Sequence, residues 1–315
     1  MMIAAILIAC SAAASPARQS PAALGRWVSV PLRRQDQAQR GMTGGEGGQW
    51  PRALALDASG STLYLGIDVG GIYRRRVSNP GTPFEPANVG YSPRGAAALA
   101  VDPANPARVI AVGGNTAPGD HHGIYLSENG GGSWKNVLPI RMGGIDEIRE
   151  QLAFDPTSTV ATDKAKPRIT PRVYWSRVDH DKVNWGEAPH HPALYTSADG
   201  GRTWSELPNS APYGGSILRH HPRKPWLYLA NDRGVFRSQN FGKTFETLFT
   251  GKVTGIDILQ TNPANLVIST ERAILIADEN GRHWKQTPAP PLEDNFLLRN
   301  LKASPADPNR WVIWR

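Results

Sequence analysis

Ser197-Ala198-Asp199-Gly200-Gly201-Arg202-Thr203-Trp204 is the stretch that decides the fold. Its pattern recurs at Ser127-Glu128-Asn129-Gly130-Gly131-Gly132-Ser133-Trp134 and at Ser238-Gln239-Asn240-Phe241-Gly242-Lys243-Thr244-Phe245. Two degenerate copies, Val77 to Phe84 and Ala277 to Trp284, keep the spacing. The consensus is Ser-x-Asp-x-Gly-x-Thr-Trp, called the box below. A Ser hydroxyl and an Asp or Asn side chain can bond the backbone of a hairpin turn, while Gly supplies a positive φ. The closing aromatic starts the next strand and offers a large ring to the core. Ser127, Asn129, Gly131, Trp134, Ser197, Asp199, Gly201, Trp204, Ser238, Asn240, Gly242 and Phe245 are therefore expected to be structural. The acids and amides among them read as turn staples rather than catalytic groups.

Each box sits in the same frame. A short strand (Leu54–Asp57, Leu99–Asp102, Leu152–Asp155, Ile217–His220, Ile256–Leu259) leads to a turn, often Asp-Pro. A β-rich second strand follows, then a loop, then a third strand ending at the box; a fourth strand closes the unit. The closing aromatics fall at 84, 134, 204, 245 and 284, spaced 50, 70, 41 and 39 apart. Four short strands per roughly 40 residues is the blade of a β-propeller. The expected fold is thus an all-β propeller of four-stranded antiparallel blades, five recognisable and a sixth partial. Arg26–Val30 reads as a strand that closes the ring against the last blade. Leu301–Pro305 and Trp311–Arg315 read as the first two strands of the sixth, so the propeller is expected to be C-terminally truncated. The domains expected are 1–25, a signal or lipoprotein-like segment and tether, and 26–315, the propeller.

Composition agrees. The 315 residues are 40% apolar and 20% charged, with Gly and Pro (32 and 27) suiting a turn-rich β chain better than a helical bundle. A mean hydropathy of -0.39 fits neither a disordered chain nor a multi-span membrane protein. The net charge of +8 is spread out with no run of five basic residues, so acidic ligands are allowed and no nucleic-acid partner is expected. The apolar run Ile3–Ala9 is too short to span a bilayer but reads as the end of a secretory segment. Leu7-Ile8-Ala9-Cys10 resembles a bacterial lipoprotein signal, which makes Cys10 a candidate lipidation site and membrane anchor. Small residues at 12–14 offer the alternative, a soluble secreted protein. The cell envelope or the exterior is the expected location. Cys10 is the only cysteine, so no intrachain disulfide exists.

In such a meander the box turns share one face, and the loops between strands two and three share the other with the inter-blade loops. That second rim gathers Asp68, Asp120, Asp146, Glu147 and Asp179, together with Trp50, Tyr91, Trp185 and Tyr213. Carboxylates for acid–base work and ring faces for sugars are what a glycan site needs. Six of the eight histidines form adjacent pairs, whose side chains point apart, so no metal or cofactor is expected. A monomer is expected.

Leu65-Gly66-Ile67-Asp68-Val69-Gly70-Gly71-Ile72-Tyr73-Arg74 resembles the first-blade motif of xyloglucanase-type endoglucanases, Thr-Asp-Val/Ile-Gly-Gly-x-Tyr-Arg. The resemblance implies that Asp68 is the general base of an inverting hydrolysis of β-1,4-glucans. In that family the acid carboxylate lies in a second propeller, so Asp120, Asp146, Glu147 and Asp179 are the candidate partners here. Trp50, Tyr91, Trp185 and Tyr213 are the candidate sugar platforms. The family's Thr is Ile67 and the Trp that often follows Arg is Arg75. Box blades also occur in sortilin-like receptors, photosystem II assembly factors and sialidases. No Arg-Ile-Pro motif supports a sialidase. Asp232 in Asn231-Asp232-Arg233-Gly234 fills the slot of Asp68, so turn chemistry also explains that position. The two functional expectations are a glycoside-hydrolase-like protein acting on or binding polysaccharide, and a non-catalytic, sortilin-like propeller binding protein ligands.

Overall fold

The computed structural model describes residues 6–9, 35–39, 50–78, 81–114, 122–140, 151–161, 167–178, 192–287, 298–304 and 306–314. The chain divides into two compact units, one of residues 30–229 and 238–244, the other of 1–29, 230–237 and 245–315. Among the described residues the one α-helix is Gln35–Gln39. The first strand, β1 (Ile6–Ala9), belongs to the smaller unit.

The larger unit is built of successive four-stranded antiparallel sheets. The first has the order β2 (Pro51–Leu56), β3 (Thr62–Ile67), β4 (Ile72–Arg76), β5 (Glu85–Pro86). The second follows as β6 (Gly95–Asp102), β7 (Asn105–Gly114), β8 (Gly123–Ser127), β9 (Lys135–Pro139). The third is β10 (Gln151–Phe154), β11 (Val173–Arg177), β12 (Ala193–Ser197), β13 (Ser205–Glu206). β14 (Ile217–His220), β15 (Leu227–Asn231), β16 (Gly234–Ser238) and β17 (Glu246–Thr250) repeat the frame, and the unit boundary falls inside β15 and β16. The smaller unit adds a sheet β18 (Gly255–Leu259), β19 (Asn265–Ser269), β20 (Ile274–Asp278), β21 (Lys285–Thr287). Its last sheet has the order β1-β23-β22, with β22 (Arg299–Ala303) and β23 (Arg310–Trp314). Four-stranded meanders in series are the β-propeller architecture. Arg26–Val30, expected to pair with that last sheet, lies outside the described residues; Ile6–Ala9 pairs with β23 instead, Ile6 opposite Ile313 and Ala9 opposite Arg310.

The box turns close as their side chains dictate. The Ser127 hydroxyl accepts from Gly131 N at 2.9 Å, and Asn129 Oδ1 accepts from Ser133 N at 2.8 Å. Ser197, Asp199 and Thr203 repeat this network, as do Ser238, Asn240 and Thr244. Partial burial pushes the Asp199 carboxyl up, but the hydrogen bonds it accepts from Thr203, Ser197 and Arg202 outweigh burial and hold it below the ordinary range. In the degenerate last copy the staple is Asp278, which accepts from Asn280 N and Arg282 N, one residue before the acid the spacing indicates.

Each box is also wedged against the sheet before it. A Cβ on Gly131 (φ +75°) would lie 3.2 Å from the Tyr64 ring, and one on Gly201 (φ +90°) would lie 2.5 Å from Ile110 Cδ1. Glycine is required there twice over, by φ and by contact. Trp134 closes the joint from the second box, donating its indole N–H to the Ala87 carbonyl at 2.7 Å. An arginine of the earlier sheet grips the box backbone. Arg74 donates to the Gly130 carbonyl, Arg108 to Gly200 at 2.8 Å, and Arg237, in the smaller unit, to Glu279 at 3.0 Å. Arg172 instead lies 3.7 Å over the ring of Phe241, which takes the place of the first glycine with φ +65°.

The sheets meet through apolar layers. Tyr64, Ile72, Leu99, Val109, Ala111, Tyr125 and Trp134 form one cluster; Ile110, Val112, Ile124, Val173, Trp175 and Tyr195 form the next. In the smaller unit Leu259, Val267, Ile274, Leu298 and Leu301 form another. The box aromatics differ in depth: Trp134 is buried, but Trp204, Phe245 and Trp284 are half-buried lids at the sheet margins. The expectation that all are largely buried is corrected accordingly.

The turns between the first and second strands, Asp-Pro at Asp102 and Asp155, work by the same side-chain capture. Asp57 Oδ1 accepts from Ser61 N, Asp102 Oδ1 from Ala104 N, and Asp155 Oδ1 from Thr157 N. In the fourth copy His221 substitutes: its Nδ1 accepts from Arg223 N and Lys224 N, both at 3.0 Å. Its neighbour His220 has both ring nitrogens shielded from solvent, 3.9 Å from Asp155 and stacked on Tyr174. Burial pulls its pKa down to about 4, with Asp155 opposing and Arg172 assisting.

Two outcomes follow from this packing. Trp134→Ala should cost about 3–5 kcal/mol in chemical denaturation, and Trp204→Ala distinctly less, since only the first ring is fully enclosed; equal losses would contradict the difference in depth. His220 protonates more readily in the unfolded chain than in the fold. Its contribution, up to about 3 kcal/mol, is complete above pH ~6.5 and is lost as pH falls towards 4. His220→Phe should flatten stability against pH across that window, measured by urea titration at a series of pH values.

Candidate functional site

The residues singled out by the xyloglucanase-like motif lie where β3 turns into β4. Asp68 is 4% exposed. Its Oδ1 accepts from the backbone N–H of Trp50 at 3.0 Å and of Val69 at 2.9 Å, while Asp68 N donates to the Trp50 carbonyl at 3.1 Å. The carboxylate thus ties the entry of β2 to the β3–β4 loop. Gly70 and Gly71, at φ +117° and +78°, both donate to the Arg94 carbonyl at 2.7 Å. Asn88 completes the cradle, accepting from Ile72 N at 2.7 Å and donating to Gly70 O at 3.1 Å. Successive positive-φ glycines let the loop fold back onto these acceptors, which a side-chain-bearing residue resists. Asn88 and the Arg94 carbonyl are functional supports that sequence reading missed. Nothing in the identity of residue 94 marks a role played by its main chain.

Trp50 stands at the mouth of this loop, 53% exposed, with the Arg52 guanidinium 4.9 Å from its ring centroid. Its backbone is fixed through Asp68, and its indole is open to solvent. Tyr91 is different. It is 6% exposed, its ring meets Tyr125 and Trp134 edge-on at 4.8 and 5.8 Å, and its hydroxyl donates to Gly95 O at 2.9 Å. Burial raises its pKa well above the tyrosine norm. Tyr91 is therefore a core residue, and its assignment as a sugar platform is corrected: a ring enclosed by two others has no face for a ligand. Tyr213 lies half-buried in the turn Ala211–Tyr213. Asp120, Asp146, Glu147, Asp179, Trp185 and Cys10 lie outside the described residues. Of the expected rim, Asp68 and Trp50 are brought together. Among the described residues no group of three or more His, Cys, Asp or Glu is placed to hold a metal ion.

Chemically, a carboxylate with one oxygen fixed by two amides and an adjacent indole can orient a polar, ring-shaped ligand. Asp232, in the corresponding slot of the β15–β16 turn, follows Asn231, whose Oδ1 accepts from Arg233 N at 2.8 Å. There the amide one residue earlier staples the turn.

No protein-family model matches the chain. A xyloglucanase from a Paenibacillus species is 25% identical over 272 residues, covering 79% of this chain and 22% of the relative. Xyloglucanase Xgh74A of Acetivibrio thermocellus is 27% identical over 238 residues, covering 56% and 27%. The chain thus spans about a quarter of the length of these relatives. Among solved structures, the GH74 xyloglucanase from Xanthomonas campestris superposes with a TM-score of 0.55 at 17% identity, covering 84% of this chain and 43% of that one. In sequence and in fold, the chain resembles the propellers of xyloglucanase-type glycoside hydrolases.

Proposed function

We propose that the protein is a glycoside-hydrolase-like propeller that handles β-glucan at the rim carrying Trp50 and Asp68. One observation carries the reading: the Asp68 carboxylate, in the motif that resembles the xyloglucanases, fixes the backbone of the exposed Trp50. The indole is the sugar platform, since ring faces stack on the apolar faces of pyranoses. Asp68 is the candidate base, with its partner sought among Asp120, Asp146, Glu147 and Asp179 at the 6.5–9.5 Å or so that inversion requires. A second reading, binding without turnover, rests on the tie itself: the bonds from the Trp50 and Val69 amides give Asp68 a structural role that needs no proton transfer.

Incubation with xyloglucan and mixed-linkage glucan separates the two. Hydrolysis releases reducing ends, and Asp68→Asn should then lower kcat by several orders of magnitude. Asparagine keeps an acceptor oxygen for the Trp50 and Val69 amides, so the fold should be retained. Under the binding reading no reducing ends appear, and Trp50→Ala weakens retention on xyloglucan by about tenfold at an unchanged unfolding midpoint. Retention that survives Trp50→Ala intact would remove the platform.

We also propose that the protein is exported to the bacterial envelope through lipidation of Cys10, on the strength of Leu7-Ile8-Ala9-Cys10. Cys10→Ser in the full chain should abolish detergent-sensitive membrane association. Persistent anchoring would exclude lipidation at that residue.

A further inference from the structure

The connection from β5 to β6 begins with residues 87–91, and Trp134 of the second box anchors it. The Trp134 indole N–H donates to the Ala87 carbonyl at 2.7 Å, and its main-chain N–H to the Val89 carbonyl at 2.8 Å. A Cβ on Gly90, at φ +76°, would lie 2.4 Å from the Trp134 carbonyl oxygen. Ala87 N donates to the Ile72 carbonyl at 2.8 Å, and Tyr91 N to the Asn88 carbonyl at 2.9 Å. Ala87 and Tyr91 are both buried. The main chain on each side of Asn88 is therefore fixed, and its side chain reaches the β3–β4 loop from a rigid base.

The amide meets the part of that loop with most conformational choice. Gly70 and Gly71 take positive φ, and without a Cβ they resist displacement least. Asn88 Oδ1 accepts from Ile72 N, and its Nδ2 donates to the Gly70 carbonyl, so the side chain spans Gly71 and holds the peptide group on each side of it. A Cβ on Gly71 would lie 2.5 Å from Asn88 Oδ1. Closing the hairpin needs no such amide. Ile67 N already donates to the Gly71 carbonyl at 3.1 Å, and both glycine N–H groups go to the Arg94 carbonyl. Asp68 and Val69 lie inside the loop so closed, and Asp68 Oδ1 takes the Trp50 and Val69 amides. A shift of Gly70 moves Val69, and with it a donor to the carboxylate that fixes the Trp50 main chain. We propose that Asn88 is a positioning residue of the rim. By holding the peptides on either side of Gly71 it preserves the Asp68–Trp50 tie, and so places the indole for a glycan ring. The inference rests on the reading that this rim handles β-glucan, and Asn88 acts through the loop rather than on the ligand.

Two variants of the full chain test it. Asn88→Asp keeps the shape and the acceptor for Ile72 N but sets a carboxylate oxygen against the Gly70 carbonyl. Asn88→Ala removes both bonds and adds no charge. Each is followed by amide hydrogen exchange at Trp50 and Val69 and by retention on xyloglucan, as ratios to the wild type. At about pH 7 both variants should exchange these two amides about tenfold faster and be retained about tenfold less, while the amides of β19 exchange as in the wild type. As pH falls towards about 4 the introduced carboxyl protonates and can donate to the Gly70 carbonyl. Asn88→Asp should then recover towards the wild type in both readouts, and Asn88→Ala should not; a general loss of stability gives no such recovery. Wild-type exchange at Trp50 and Val69 in both variants overturns the proposal. So does the same loss in the two variants at every pH, or full retention in both where Trp50→Ala abolishes it. Failure of the rim reading shows separately, as retention that survives Trp50→Ala, and the exchange ratios then still decide whether Asn88 holds the tie.

Discussion

The joint between each box turn and the sheet before it is the contact on which the described architecture rests. A hairpin of eight residues carries its own staple, the Ser hydroxyl and the Asn or Asp oxygen, and so arrives at the joint rigid. Rigidity matters because the wedge tolerates no Cβ at Gly201, where Ile110 fills the space. Dispersion and burial then act on well-fitted surfaces, with the arginine–carbonyl bond adding direction. Arg108 shows the arrangement in full: 3% exposed, it donates to Gly200 while also meeting Glu128 at 2.9 Å. Removing such an arginine leaves a buried acceptor unpaired, which costs more than the bond itself contributes.

These arginines change the meaning of the net charge. A surplus spread evenly along a sequence suggests a cationic surface. Arg74, Arg108 and Arg237 are instead committed to main-chain carbonyls of the following box. Part of the basicity is thus a construction element repeated with the sheets. Arg75, one residue beyond such a clamp and on the other face of β4, lies over the Phe84 ring instead.

The frame of strands was legible because the box fixes a register and each strand is short. Ile217–His220 is reproduced to the residue, and Ile256–Leu259 to within one. What sequence could not show is which side of a blade an aromatic faces after the turn. Tyr91 follows a box-adjacent loop, as a rim residue would, but the turn at Asn88–Tyr91 delivers it to the core beside Trp134. His221 in an Asp-Pro slot was opaque for another reason: imidazole Nδ1 accepts the same two amides as a carboxylate, and residue type alone conceals that equivalence. The arginine clamps went unread because a basic residue on a strand has the same pattern whether it meets water or a neighbour's carbonyl. Of the site, the Asp68 motif was legible and its cradle was not, since Asn88 and Arg94 act through an amide and a main-chain oxygen remote in sequence.

The wedge at the box end has a bearing on how such a chain tolerates length. It locates a sheet from one end of its strands, so the other end is under no obligation to keep a fixed number of residues. The intervals between closing aromatics, 39 at the shortest and 70 at the longest, display that latitude. Loop closure grows only logarithmically more costly with length, so a segment three or four times the usual size adds little to the free energy of folding. Evolution can therefore lengthen, diversify or trim the connections at the rim without touching the joint, and variation in this protein's relatives should accumulate there as insertions rather than as changes of register.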